Sequence, residues 1–320
     1  MTLLRSVRLT TVGITVATVV LLALWPLLPA WAAHTVAVSL GGGLVVLGLL
    51  ILIRFGLVSF GQGLFFAIGG YAAALANQFL GITDMLVMSV AGIASAGAVA
   101  WALGYIVRGH RGIFFAMLNL AFSMILFGIL AKTVVLGSTD GFSVGVPTLL
   151  GFAPDPEAGR LTFMLFGFIV ISTAVVAWWV DRMLASPIGY AGQGVRENEL
   201  RLRYLGVSAR GAVHIAYIAA AKLAALGGVF TVLLIGHVTP EDTAYWTKSG
   251  EFVFVAILGG SGNVAAPFIA QAVFELVRTF ALQYAPDAWQ MLLGITLLLV
   301  ILFLPGGLWS LADRLRGRDA

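Results

Sequence analysis

Long apolar runs joined by short polar turns make up most of this 320-residue chain. A helix that crosses a bilayer needs about 20 apolar residues. Ten stretches meet or approach that length: 10–29, 34–53, 60–80, 85–107, 112–136, 161–182, 212–236, 250–262, 264–283 and 288–305. The eighth is short and is interrupted by Gly259, Gly260 and Gly262, so a bent or half-length helix is expected there. The pattern predicts an all-α, polytopic membrane helical bundle of about ten transmembrane segments, some broken or half-length. Segments 137–160, 186–210 and 237–249 are each too short to fold alone, so 1–320 reads as a single transmembrane domain.

Composition supports this reading. The chain is 60% hydrophobic and 10% charged, where a soluble domain carries about 25% charged residues. The net charge of +4 is small and calls for no nucleic-acid partner. With no cysteine there is no disulfide, thiolate metal site or cysteine nucleophile. At the start, Arg5 and Arg8 precede an apolar run from Val12 to Leu28, and Ala30-Trp31-Ala32 resembles a signal-peptidase site. The run exceeds a signal core of about 7–15 residues, which favours a retained first helix.

Charge sets the expected orientation. With both termini inside, Arg5, Arg8, Arg54, Arg108, Arg111, Arg182, Arg196, Arg201, Arg203, Arg210, Arg314, Arg316 and Arg318 all fall on the cytoplasmic side. Arg160 and Lys248 then lie outside with Asp84, Asp140, Asp155, Glu157, Glu241, Asp242 and Asp287, while Lys132 and Arg278 lie near outer helix ends. This is the positive-inside pattern. Segment 186–210 is then cytoplasmic, and 137–160 and 237–249 are external.

The chemistry present is sparse. Neither Lys132-Thr133 nor Lys248-Ser249 follows the glycine-rich loop that cradles nucleotide phosphates, and no His-Glu-x-x-His occurs. Gly259-Gly260-Ser261-Gly262 has the spacing of an intramembrane serine protease, but no histidine base follows Ser261. No catalytic, metal or cofactor site is expected. Lys222 and Glu275 each lie roughly 17 Å inside the bilayer by helical rise. They could line a solute path, pair with each other, or, for the lysine, snorkel. Gln62, Tyr71, Asn77, Asn119 and Ser123 on the third and fifth spans could meet a polar solute or hydrogen-bond between helices. The stretch Arg54-Phe-Gly-Leu-Val-Ser-Phe-Gly-Gln-Gly63 and the break at Gly259–Asn263 read as irregular backbone dipping into the membrane from one side. Such backbone survives only where protein or cavity water satisfies its amides, and paired breaks often mark a transport path.

The most polar segment is Ser186–Gly206, where Arg196, Glu197, Glu199, Arg201 and Arg203 fall within eight residues. A short charged helix between spans suits a soluble partner. This segment carries Ser186-Pro-Ile-Gly189, Val195-Arg-Glu-Asn-Glu199 and Leu205-Gly206. Elsewhere stand Gly56-Leu-Val-Ser-Phe-Gly-Gln-Gly-Leu-Phe-Phe-Ala-Ile-Gly-Gly-Tyr71, Arg111-Gly-Ile-Phe-Phe-Ala-Met-Leu-Asn-Leu-Ala-Phe122, Thr139-Asp-Gly-Phe-Ser-Val-Gly-Val-Pro147, Ser249-Gly-Glu-Phe-Val-Phe-Val-Ala-Ile-Leu-Gly-Gly-Ser-Gly262 and Phe303-Leu-Pro-Gly-Gly-Leu308.

Together, and in this order along most of the chain, these motifs resemble the permease subunits of branched-chain amino-acid ABC importers of the LivM type. The resemblance implies a non-enzymatic subunit in the bacterial inner membrane that works with two ATP-binding subunits, a second related permease and a periplasmic substrate-binding protein. It also implies that Arg196, Glu197, Asn198, Glu199, Leu205 and Gly206 form the segment that couples to the ATPase. The substrate expected is a branched-chain or related hydrophobic amino acid; urea, short amides and aromatic acids are carried by similar proteins. A stand-alone ion-coupled transporter would need several intramembrane acids, and only Glu275 is available. Two departures stand out. Tyr190-Ala-Gly-Gln-Gly194 replaces an alanine-rich helix, which puts the expected helix start near Val195. Lys222 stands where a small or apolar residue is expected.

Overall fold

The computed structural model describes residues 2–25, 29–152, 160–304 and 306–310. Asp155, Glu157, Pro305, Arg314, Arg316 and Arg318 lie outside the described residues. Helices follow in the order α1 (Thr2–Leu24), α2 (Ala30–Arg54), α3 (Gln62–Leu80), α4 (Met85–Val107), α5 (Gly112–Lys132), α6 (Arg160–Leu184), α7 (Pro187–Tyr204), α8 (Ala209–Ile235), α9 (Pro240–Thr243), α10 (Trp246–Gly259), α11 (Ala266–Tyr284) and α12 (Trp289–Phe303). Each apolar stretch of the sequence carries a helix. Among the described residues six are long and apolar enough to cross a membrane: Trp31–Arg54, Gln62–Leu80, Met85–Val107, Gly112–Lys132, Leu161–Leu184 and Ala209–Ile235. The chain is an all-α polytopic membrane protein. As the glycines suggested, α10 is short, at 14 residues.

A largely buried helix, α8, packs on α2, α3 and α4. Lipid is as apolar as leucine, so such contacts depend on van der Waals fit between small residues. The sequence of α8 supplies them in Ala219-Ala-Ala221 and Ala224-Ala-Leu-Gly-Gly228. A methyl on Gly228 would collide with the Phe66 carbonyl, and one on Gly69 with the Ala225 carbonyl. The α3–α8 crossing is therefore backbone against backbone.

The bundle has two unlike ends. At one, Arg54 closes α2, Arg108 caps α4, Arg111 precedes α5, Arg182 lies in the last turn of α6 and Arg210 in the first turn of α8. Of these, Arg111 reaches α7 through Glu199. At the other end β1 (Phe142–Ser143) pairs antiparallel with β2 (His237–Val238). There Asp84 caps α4, accepting from the amides of Leu86 and Val87 at 2.9 and 3.2 Å, and it also accepts the Leu150 amide.

Segment 237–249 differs from the soluble loop read in the sequence. After β2 it turns inward through α9, and Pro240, Thr243, Ala244 and Ser249 are buried. The Ser123 hydroxyl, midway along α5, donates to the Ala244 carbonyl at 2.9 Å, and Ser249 Oγ accepts the Gly63 amide at 3.0 Å. Small and hydroxylated residues let this polar stretch lie inside the bundle because they satisfy part of its backbone and that of the first turn of α3.

Candidate functional site

The arginine-rich end is built around α7. Pro187 opens the helix at a position where its missing amide costs nothing. The helix runs unbroken through Gly189, Gly192 and Gly194, so the expected start near Val195 is corrected to Pro187. The physical reason is contact: a methyl on Gly189 would strike the Leu184 carbonyl, and one on Gly192 the ring of Phe55. The glycines cost helix propensity and bring α7 down onto the end of α2. Gly56, at φ +72°, lies under the Arg196 stem, where a Cβ would come within 3.2 Å of Arg196 Cγ.

At Asn198 the helix kinks, with φ −161° and ψ 95°. The Asn198 side-chain oxygen accepts the Arg201 amide at 3.0 Å and so caps a second short helical piece. Glu199 ties that piece to the body. Its carboxylate accepts from Arg111 Nε at 3.2 Å and from Arg203 Nη2 at 2.7 Å. Partial burial would raise this carboxyl, but the Arg203 hydrogen bond and the charges of Arg111 and Arg203 outweigh it and hold Glu199 below its ordinary range. A depressed carboxyl contributes stability above its unfolded pKa and loses it as pH falls through the folded value. Protection of the 199–204 amides, read as exchange relative to the unstructured chain at the same pH, is therefore expected to be higher at neutral pH and to fall on acidification below the carboxylate range; Glu199→Gln should show low protection at both.

The tip beyond the kink is exposed. Arg196, Glu197, Asn198, Arg201 and Arg203 face out, and Gly206 turns the chain at φ +80°. Among them stand apolar side chains: Leu200 at 61%, Tyr204 at 83% and Leu205 at 75% exposed. Sequence reasoning singled out Leu205 but missed Leu200 and Tyr204. Their signal was present, as apolar residues inside the most polar stretch of the chain. Of the six residues picked from the sequence in this segment, five are exposed, and Glu199 is partly buried against Arg111 and Arg203.

The other six candidates do not form one site. Asn119 is buried, donates to the Phe115 carbonyl at 2.8 Å and accepts the Tyr217 hydroxyl at 2.6 Å. Gln62 is buried nearby at the start of α3, where Gly61 lies against Asn119. Tyr71 is buried, its ring edge-on to Phe142 at 6.3 Å. Asn77 sits toward the ribbon end, donating to Ile82 O at 3.2 Å and accepting the Gly145 amide at 2.9 Å. These bonds use the polar groups of Asn119 and Asn77, while the Gln62 side-chain oxygen and the Tyr71 hydroxyl are buried without a hydrogen-bond partner. Tyr217→Phe, which strands the Asn119 oxygen, is expected to cost about 1 kcal/mol, read as a lowered unfolding temperature in detergent.

Lys222 and Glu275 do not pair, because they sit on different faces. Lys222 is exposed in a groove of about 520 Å³ between α4 and α8, bordered by Ile93, Trp101 and Ile218, with its stem against Gly97. Glu275, on α11, is buried, accepts from Gln271 at 3.1 Å and lies 4.0 Å from Arg278. Among the described residues no group of three or more His, Asp or Glu side chains could hold a metal.

The model of the family described as "Branched-chain amino acid transport system / permease component" matches residues 32–302. The chain is 30% identical over 313 residues to a protein of Escherichia coli (strain K12), covering 89% of this chain and 72% of that one. That relative is the high-affinity branched-chain amino acid transport system permease protein LivM. The protein of the same name from Salmonella typhimurium is 29% identical over 312 residues, with 89% and 72% covered. No solved structure matches.

Proposed function

Given that this chain belongs to the branched-chain amino-acid transport permease family, and so is a permease component of an ABC importer, we propose that it is the passive membrane half of an ATP-driven importer. Two ATP-binding subunits dock on the α7 tip, a second related permease completes the path, and a periplasmic binding protein delivers the substrate. The substrate is a branched-chain or related hydrophobic amino acid. The chain sits in the bacterial inner membrane with both termini and α7 in the cytoplasm and with 137–160 and the β2 end of 237–249 on the periplasmic side. Arg196, Glu197, Asn198, Glu199, Leu205 and Gly206 form the coupling segment.

One observation carries this reading: the end of α7 exposes Leu200, Tyr204 and Leu205 among the exposed charges of Arg196, Glu197, Arg201 and Arg203. Large apolar groups framed by charge are the anatomy of a protein interface, with an apolar centre and a polar rim. The arginines at this end favour a cytoplasmic position, where the nucleotide is. Glu199, held by Arg111, serves as the strut that fixes the tip rather than as a free contact.

The test is reconstitution in proteoliposomes with the candidate partner subunits. Uptake of L-leucine should require ATP and the binding protein, and the purified chain alone should bind no nucleotide. Uptake driven by a proton gradient with no ATPase present refutes the reading.

A further inference from the structure

The two irregular segments noted in the sequence meet in the structure, and one side chain joins them. Arg54, the last residue of α2, donates through Nε and Nη2 to the Ser261 carbonyl at 3.3 and 3.1 Å, and through Nη2 to the Gly262 carbonyl at 3.2 Å. These carbonyls belong to the break between α10 and α11, where helical hydrogen bonding lapses. The Asp181 carboxylate of α6 acts electrostatically on the same guanidinium. The next two residues face the other way: Phe55 lies on Gly192 of α7, and Gly56 lies under the Arg196 stem. Beyond the break, Leu308 donates its amide to the Leu258 carbonyl at 2.7 Å, and Gly260 abuts Gly306 and Gly307. Three consecutive residues, 54–56, therefore touch α7 on one side and the break on the other.

We propose that Arg54 is a positioning residue that carries displacement of α7 into the α10–α11 break, so that the end of α2, the break and α7 move as one body. This rests on the assignment of α7 as the ATPase dock. The chemistry suits transmission. A guanidinium is a rigid planar fork, and two of its nitrogens hold adjacent carbonyls in fixed relative position. Charge-assisted bonds are stronger than bonds between neutral groups. The Phe55–Gly192 contact is too close to compress, so a push on α7 shifts the turn rather than sliding over it.

The test separates transmission from simple stabilisation by measuring uptake per ATP hydrolysed in the whole reconstituted complex. Arg54→Gln is expected to keep the ATP-binding subunits bound and hydrolysing while uptake of L-leucine per ATP falls by about tenfold or more. The chain has no cysteine, so cysteines introduced at Gln193, Ser261 and Gln78 can carry spin labels two at a time. In the native chain, nucleotide should change the Gln193–Gln78 and Ser261–Gln78 distances together; in Arg54→Gln only the first should change. Unchanged uptake per ATP in the variant overturns the proposal. If that variant does not fold, the native chain decides alone, since movement at Gln193 with Ser261 still overturns it equally. A native complex in which the ATP-binding subunits never engage α7 defeats the docking assignment, and this proposal with it.

Discussion

Gly228→Ala is expected to cut the yield of assembled protein sharply, although it adds a single methyl group. That methyl would strike the Phe66 carbonyl oxygen, with the Gly70 amide nitrogen 3.2 Å away. Backbone on α3 cannot rotate aside as a side chain can. The clash must be relieved by parting α3 and α8, and α8 also seats α2 and α4. Overpacking costs about 1–3 kcal/mol even where side chains absorb it. Here about 3 kcal/mol or more is expected, against a total stability of about 5–15 kcal/mol. The matched control is Gly128→Ala on α5, where a methyl meets nothing within 4 Å. Helix propensity favours that change by about 0.5–1 kcal/mol. The measurement is the yield of monodisperse protein on size-exclusion chromatography in detergent, and equal yields from both variants contradict the packing account.

The second large effect lies at the α7 tip. Tyr204→Ala combined with Leu205→Asp should leave folding untouched, since both side chains point outward at 83% and 75% exposure. Binding of the ATP-binding subunits should fall on the order of 1,000-fold, because buried interface anchors contribute about 2 kcal/mol or more each. ATP-driven uptake should fall with it. Arg196→Ala with Glu197→Ala removes rim charge and should act more through association rate and salt dependence, with a smaller loss. Titration of the detergent-solubilised chain with the ATP-binding subunits gives both affinities. If the tip variant binds as tightly as the native chain, the dock is elsewhere.

Much of the fold was legible because a bilayer imposes a long apolar period that few other structures share. The helix positions and the shortness of α10 followed from run length and from Gly259, Gly260 and Gly262. What the sequence concealed were contacts between distant segments. Gly192 and Gly194 read as helix weakeners because propensity is local, whereas the reason for Gly192 is the ring of Phe55, more than a hundred residues away. Segment 237–249 read as a loop because hydroxyls and acids are polar, yet Ser123 and Ser249 give it and its neighbours partners inside the bundle. Whether Lys222 and Glu275 pair, line a path or, for the lysine, snorkel stayed open because depth along a helix can be counted, while the facing direction depends on neighbours that spacing does not name. At the candidate site the charged residues were visible, and Leu200 and Tyr204 were overlooked because apolar residues in an apolar chain attract no notice.

The kink at Asn198 divides α7 into two pieces with separate footings. The seat, 187–197, rests on the turn at Phe55–Gly56, and the tip, 199–204, is moored to α5 through Glu199 and Arg111. A force applied at Leu205 thus enters the molecule along two routes, one toward α2 and one toward α5. Because each added helical residue turns a segment by about 100°, a single insertion at this joint would swing Leu200, Tyr204 and Leu205 to a different heading while leaving the seat in place. The azimuth at which the tip meets whatever grips it is set by one asparagine.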